Sequence, residues 1–70
     1  MENIHSEELA ERVNAIRLAA LKYNTLGSAR NFVNRADKLM AIVLGDDDLF
    51  WVVSLKQSTL LEQHGYTVVS

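Results

Sequence analysis

Two apolar runs dominate the hydropathy pattern, Leu39–Leu44 and Leu49–Val53, separated by Gly45-Asp46-Asp47-Asp48. A short polar connection between two such runs predicts an antiparallel β-hairpin. Pairing across a four-residue connection sets Leu44 against Leu49, Ile42 against Trp51 and Met40 against Val53 on one face. The other face then pairs Val43 with Phe50, Ala41 with Val52 and Leu39 with Ser54. Neither run alternates with polar residues, so both faces of the hairpin need cover.

The flanking segments carry a helical period. Leu9, Val13, Ile16, Ala20 and Tyr23 recur at spacings of four and three, which predicts a first helix over about residues 7–25. Ser6 is placed to cap it, Glu7 and Glu8 suit the positive end of its dipole, and Glu8 lies one turn before Arg12. Gly27 would end it in the left-handed conformation. Leu18 and Leu21 fall off the main stripe, with Ala15 nearby, and suggest a second contact surface.

Ser28 is placed to cap a second helix, whose apolar side is Ala29, Phe32, Val33, Ala36 and Leu39/Met40. Its opposite side holds Arg30, Asn31, Asn34, Arg35 and Lys38. A rival reading makes Arg30–Val33 a short strand followed by a turn; the periodic match favours the helix. After the hairpin, Ser54 and Gln57 form a capping box that starts a third helix over Leu55–His64, ending at Gly65. Tyr66–Val69 can add a last strand to one edge of the hairpin.

These elements make residues 1–70 one α+β domain, in the order α-α-β-β-α-β, with a central antiparallel hairpin packed on helices. The first helix is long enough to cover one sheet face. The third has few large apolar residues and leaves part of the other face open. An open apolar sheet face marks an interaction surface.

Composition narrows the ways a chain this short can be stabilised. At 70 residues a single core is marginal, and small domains add a disulfide, a metal or a partner chain. There is no cysteine, and the two histidines lack metal-ligand spacing. A partner chain is the remaining supplement, a second copy being the simplest. The start, MENIHSEEL, is acidic and polar, unlike a secretory signal. The longest apolar run is far below the roughly 20 residues of a membrane span. A soluble, cytoplasmic protein is expected.

The net charge of −2 conceals an uneven distribution. Residues 1–11 carry four acids and no base, residues 12–38 six bases and one acid, and residues 39–70 four acids and one base. The basic middle includes the polar side of the second helix. Arginine reads guanine edges and asparagine reads adenine edges in a major groove. Two helices followed by a hairpin resemble part of a winged helix-turn-helix domain. The resemblance lacks the third helix that precedes the hairpin, and the acidic hairpin tip would repel phosphate.

Other candidate chemistry is thinner. Asp46, Asp47 and Asp48 could hold a hard cation, but their spacing is not that of a calcium loop, and a solvated turn accounts for them. His5 and His64 have no triad partner in the sequence pattern, and the three glycines stand alone rather than in a phosphate cradle. No catalytic, metal or cofactor residue is therefore assigned. The expected function is a non-catalytic interaction or adaptor module that forms a homodimer or binds another protein. Its candidate self-association surface is Leu18, Leu21, Val43, Phe50 and Val52. The alternative is nucleic-acid binding through Arg30, Asn31, Asn34, Arg35 and Lys38.

Overall fold

The computed structural model describes residues 2–70, with side chains from Glu8 onward. The side chains of His5, Ser6 and Glu7 lie outside the described ones. The fold is α+β, three helices around a four-stranded antiparallel sheet, with the hairpin at the centre of the sheet. The order of the larger elements is the expected one; a three-residue strand is added between the first two helices.

That strand arises because the first helix, α1, spans Glu2–Ala19 and stops short of residue 25. Ser6 consequently sits inside the helix rather than at its cap. After Ala20 the chain extends into β1, Leu21–Tyr23, which pairs antiparallel with the hairpin's second strand. The Lys22 ammonium donates to the carbonyls of Arg17 and Ala20, satisfying acceptors at the helix end with a cation that the dipole favours. The same ammonium lies 5.4 Å from the Trp51 ring centroid. Tyr23 thus belongs to the sheet, although it fits the helical spacing.

The second helix, α2, spans Leu26–Arg35. Its cap is Thr25, whose hydroxyl accepts from the Ser28 amide at 3.2 Å. Gly27 and Ser28 therefore lie within its first turn, and Gly27 has no left-handed backbone. The helix ends at Arg35, so Lys38 and Leu39 follow it in an irregular stretch.

The hairpin is β2, Met40–Leu44, and β3, Phe50–Ser54. Its register differs by one residue from the expected one: Val43 faces Trp51, Ile42 faces Val52 and Leu44 faces Phe50. The connection holds five residues, 45–49, closed by the Gly45 amide donating to the Leu49 carbonyl at 2.8 Å. Asp48 absorbs the extra residue at φ 64°, a left-handed conformation that aspartate tolerates better than most side chains. Asp47 accepts from the Leu49 amide at 3.1 Å and from Trp51 Nε1 at 3.0 Å, which ties the turn to the core.

Because strand residues alternate between faces, this register assigns the core. Val43, Trp51 and Val53 pack with Val13 and Ile16 of α1. Leu61 joins them from α3, Leu55–Gln63. Ile42 and Val52 lie on the other face against Ala29 of α2, with Phe32, Val33 and Phe50 around them. The helices α1 and α3 thus share one face, and α2 covers the other. The expected deficit of cover is corrected here: α2 supplies an apolar stripe of its own. The capping box at α3 is as expected, with Gln57 N donating to Ser54 Oγ at 3.1 Å and Ser54 N to Gln57 Oε1 at 3.0 Å. Gly65 follows at φ 98°, and β4, Thr67–Val68, joins the free edge of β2, giving the strand order β1-β3-β2-β4.

Candidate interaction surface

The two sheet faces being covered, the apolar groups left to solvent lie elsewhere. Among the described residues, the exposed large hydrophobic ones are Leu18, Leu21, Leu39, Leu44 and Leu55. Leu18 and Leu39 are each 80% exposed, far beyond a residue that merely borders a core. The sheet register places three of them at one end. Leu21 stands opposite Val52, Leu39 precedes Met40, which faces Ser54, and Leu55 follows Ser54. All three therefore surround the end of the sheet remote from the acidic turn. A hollow there is bordered by Ala20, Leu21, Lys38, Met40, Val52 and Gln57. Leu18 lies in the last turn of α1, three residues before Leu21.

This arrangement redistributes the surface read from the sequence. Leu18 and Leu21 are on the outside, as their off-stripe positions required. Val43, 0% exposed, and Val52, 3% exposed, are not on a surface: each is enclosed by helices on its own face of the sheet. Phe50 is partly buried and packs with the α2 cluster. Leu39, which the helical repeat assigns to the apolar side of the second helix, and Leu55 join this surface instead. Each sits at the end of an element, where the chain changes direction and a repeat count no longer assigns a face. Their signal is position: one precedes the hairpin and the other is the first residue after a capping box.

The polar side of α2 is fully presented. Arg30, Asn31, Asn34 and Arg35 are exposed on the helix, and Lys38 is exposed beyond its end. Among the described residues, none of the five is in a salt bridge or a side-chain hydrogen bond; the one ion pair is Arg17–Asp46, at 3.8 Å. Glu8 and Arg12, one turn apart, likewise form no ion pair.

At the opposite end of the sheet the acidic turn is engaged with the fold rather than merely solvated. Besides Asp47 on Trp51, Asp46 accepts from the Tyr66 hydroxyl at 3.4 Å and faces Arg17. Burial, and then the Asp46 carboxylate, push the Tyr66 hydroxyl above its ordinary pKa. The Tyr66 ring lies 5.3 Å from that of Trp51 and 6.3 Å from that of His64. Asp46, His64 and Tyr66 border an open hollow. Among the described residues, no group of three or more metal-ligating side chains converges, and no helix is long and apolar enough to cross a membrane. No protein-family model, curated protein or solved structure compared with the chain matches it.

Proposed function

We propose that the protein is a non-catalytic interaction module that self-associates through its leucine-bearing surface. The observation that carries this reading is the exposure of Leu18, Leu21, Leu39 and Leu55 on a chain whose sheet is already covered on both faces. Burying one such side chain is worth about 1.5–3 kcal/mol, so a contact that covers several of them favours assembly. A single exposed leucine would carry no such weight.

Light scattering on the full chain tests the reading. The wild type is expected as a dimer at micromolar concentration, and Leu18→Glu and Leu21→Glu are expected to shift it toward monomer while the circular dichroism spectrum is retained. A wild type that stays monomeric, or a dimer indifferent to both substitutions, overturns it.

A second reading rests on the unpaired polar side of α2. Arg30, Asn31, Asn34, Arg35 and Lys38 present three cations and two amides to solvent, which suits contact with nucleic acid. Binding to duplex DNA or RNA is then expected to weaken as salt rises. Arg30→Ala with Arg35→Ala should abolish it. Absence of binding at low salt removes this reading and leaves the first untouched.

A further inference from the structure

We infer that the groove between α1 and α3 is a binding site for a small apolar carboxylate, an organic acid with a hydrocarbon body. The inference goes beyond self-association, since none of the exposed leucines lines this groove.

The two helices share one sheet face, and each contributes a short stripe to the groove. On α1 the stripe is Arg12, Ala15 and Ile16; on α3 it is Lys56, Gln57 and Leu60. Residues three and four apart lie on one side of a helix, so both stripes follow from the helical repeat. Together they border an open hollow of about 420 Å³. Small-molecule sites have this size. Ile16 and Leu60 belong to the core cluster under α1 and α3, so the floor is apolar. The polar side chains around it offer donors. Gln57 Oε1 is already taken by the Ser54 amide, which leaves the Gln57 NH2 beside the Arg12 guanidinium and the Lys56 ammonium. No carboxylate borders this hollow; Glu8 borders the adjoining one, with Gln63.

The charges here are set against local preference. Lys56 is the second residue of α3, where the helix dipole disfavours a cation, and the first turn of α3 contains no acid. It is the one Lys or Arg after residue 38. Arg12 meets it across the hollow, and among the described residues neither is in a salt bridge or a side-chain hydrogen bond. Local conflicts of this kind concentrate at functional sites. An anion between the two cations turns their repulsion into attraction, and a hydrocarbon body over Ala15, Ile16 and Leu60 leaves water. A carboxylate on an apolar chain meets both conditions. Inorganic phosphate meets only the first and an alcohol only the second.

The experiment titrates the full chain with octanoate, octanol and inorganic phosphate and follows the amide chemical shifts by nuclear magnetic resonance. Octanoate is expected to shift residues 12–16 and 56–60 above all. Butanoate, hexanoate and octanoate should bind more tightly in that order, by up to about fourfold per methylene. Octanol and phosphate should each bind at least tenfold more weakly than octanoate. Arg12→Gln with Lys56→Gln should lose the octanoate shifts and keep the circular dichroism spectrum. Lys56→Glu should lose them too, yet melt a few degrees higher, because it places an acid where the dipole favours one. A lysine with a merely structural role would not move binding and stability in opposite directions. Octanoate shifts that are absent or scattered over the surface overturn the site. So does octanol or phosphate binding as well as octanoate, or a Lys56→Glu protein that still binds or melts below the wild type. The oligomeric state, tested by the leucine substitutions, stands or falls separately.

Discussion

Gly45→Ala is expected to destabilise the fold by roughly 1–3 kcal/mol, the usual cost of forcing an extra carbon into a packed site. A Cβ at this position would lie 2.2 Å from Trp51 Cε2 and 2.3 Å from Nε1. Neither neighbour can give way cheaply. Trp51 is 1% exposed, its Nε1 is held by Asp47 at 3.0 Å, and its ring is backed by Tyr66. Moving the backbone instead would break the 2.8 Å hydrogen bond from the Gly45 amide to Leu49. A domain this small has only about 3–5 kcal/mol to lose, so the substitution removes a large share of its stability. The urea midpoint should fall, with Trp51 fluorescence as the probe. Gly27→Ala is the matched comparison: nothing lies within 4 Å of its added Cβ, and it sits in the first turn of α2. There the midpoint should hold or rise, by up to about 1 kcal/mol in stability. An unchanged midpoint for Gly45→Ala would mean that the ring does not cover the turn.

The same contact explains why the hairpin itself was legible in the sequence and its register was not. Hydropathy locates Leu39–Leu44 and Leu49–Val53 as a paired unit. With apolar residues at every position, however, a one-residue slip exposes no polar side chain, and alternation cannot choose between registers. The choice is made at the turn, by the close approach of Gly45 to Trp51 and by the Asp47 carboxylate. The three aspartates looked alike as a run of charge. In the structure Asp47 anchors the indole, Asp46 meets Tyr66 and Arg17, and Asp48 supplies the left-handed residue.

Some features set by a few neighbouring residues were read correctly: the Ser54–Gln57 capping box and the end of that helix at Gly65. The caps expected at Ser6 and Ser28 and the left-handed end at Gly27 failed, because α1 and α2 begin and end elsewhere. Features set by distant partners were not read. Tyr23 continues the apolar spacing of α1, yet an open strand edge at β3 draws Leu21–Tyr23 into the sheet. The cover of the second sheet face depends on Ala29 of α2 meeting Ile42 and Val52, 13 and 23 residues further along the chain. That cover removes the argument for assembly through Val52, as α1 and α3 remove it for Val43 on the opposite face. The argument for self-association moves to the end of the sheet and to α1, where Leu18 and Leu21 remain exposed.

Val43→Asp separates the two locations. At 0% exposure, between Trp51 and Val68 in neighbouring strands, the new carboxyl would have no solvent and no partner. Even the protonated group, buried without a hydrogen bond, costs roughly 2–7 kcal/mol, and the ionised group more. This is comparable to the whole stability expected of the domain, so Val43→Asp should lose its near-ultraviolet circular dichroism and its cooperative thermal transition. The loss is one of folding, and any change in assembly follows from it. Leu18→Glu places the same charge at a position that is 80% exposed and should keep the wild-type transition, altering assembly alone. The opposite pattern, a folded but monomeric Val43→Asp protein, would return Val43 to an interface. It would also require α1 and α3 to leave the face they share.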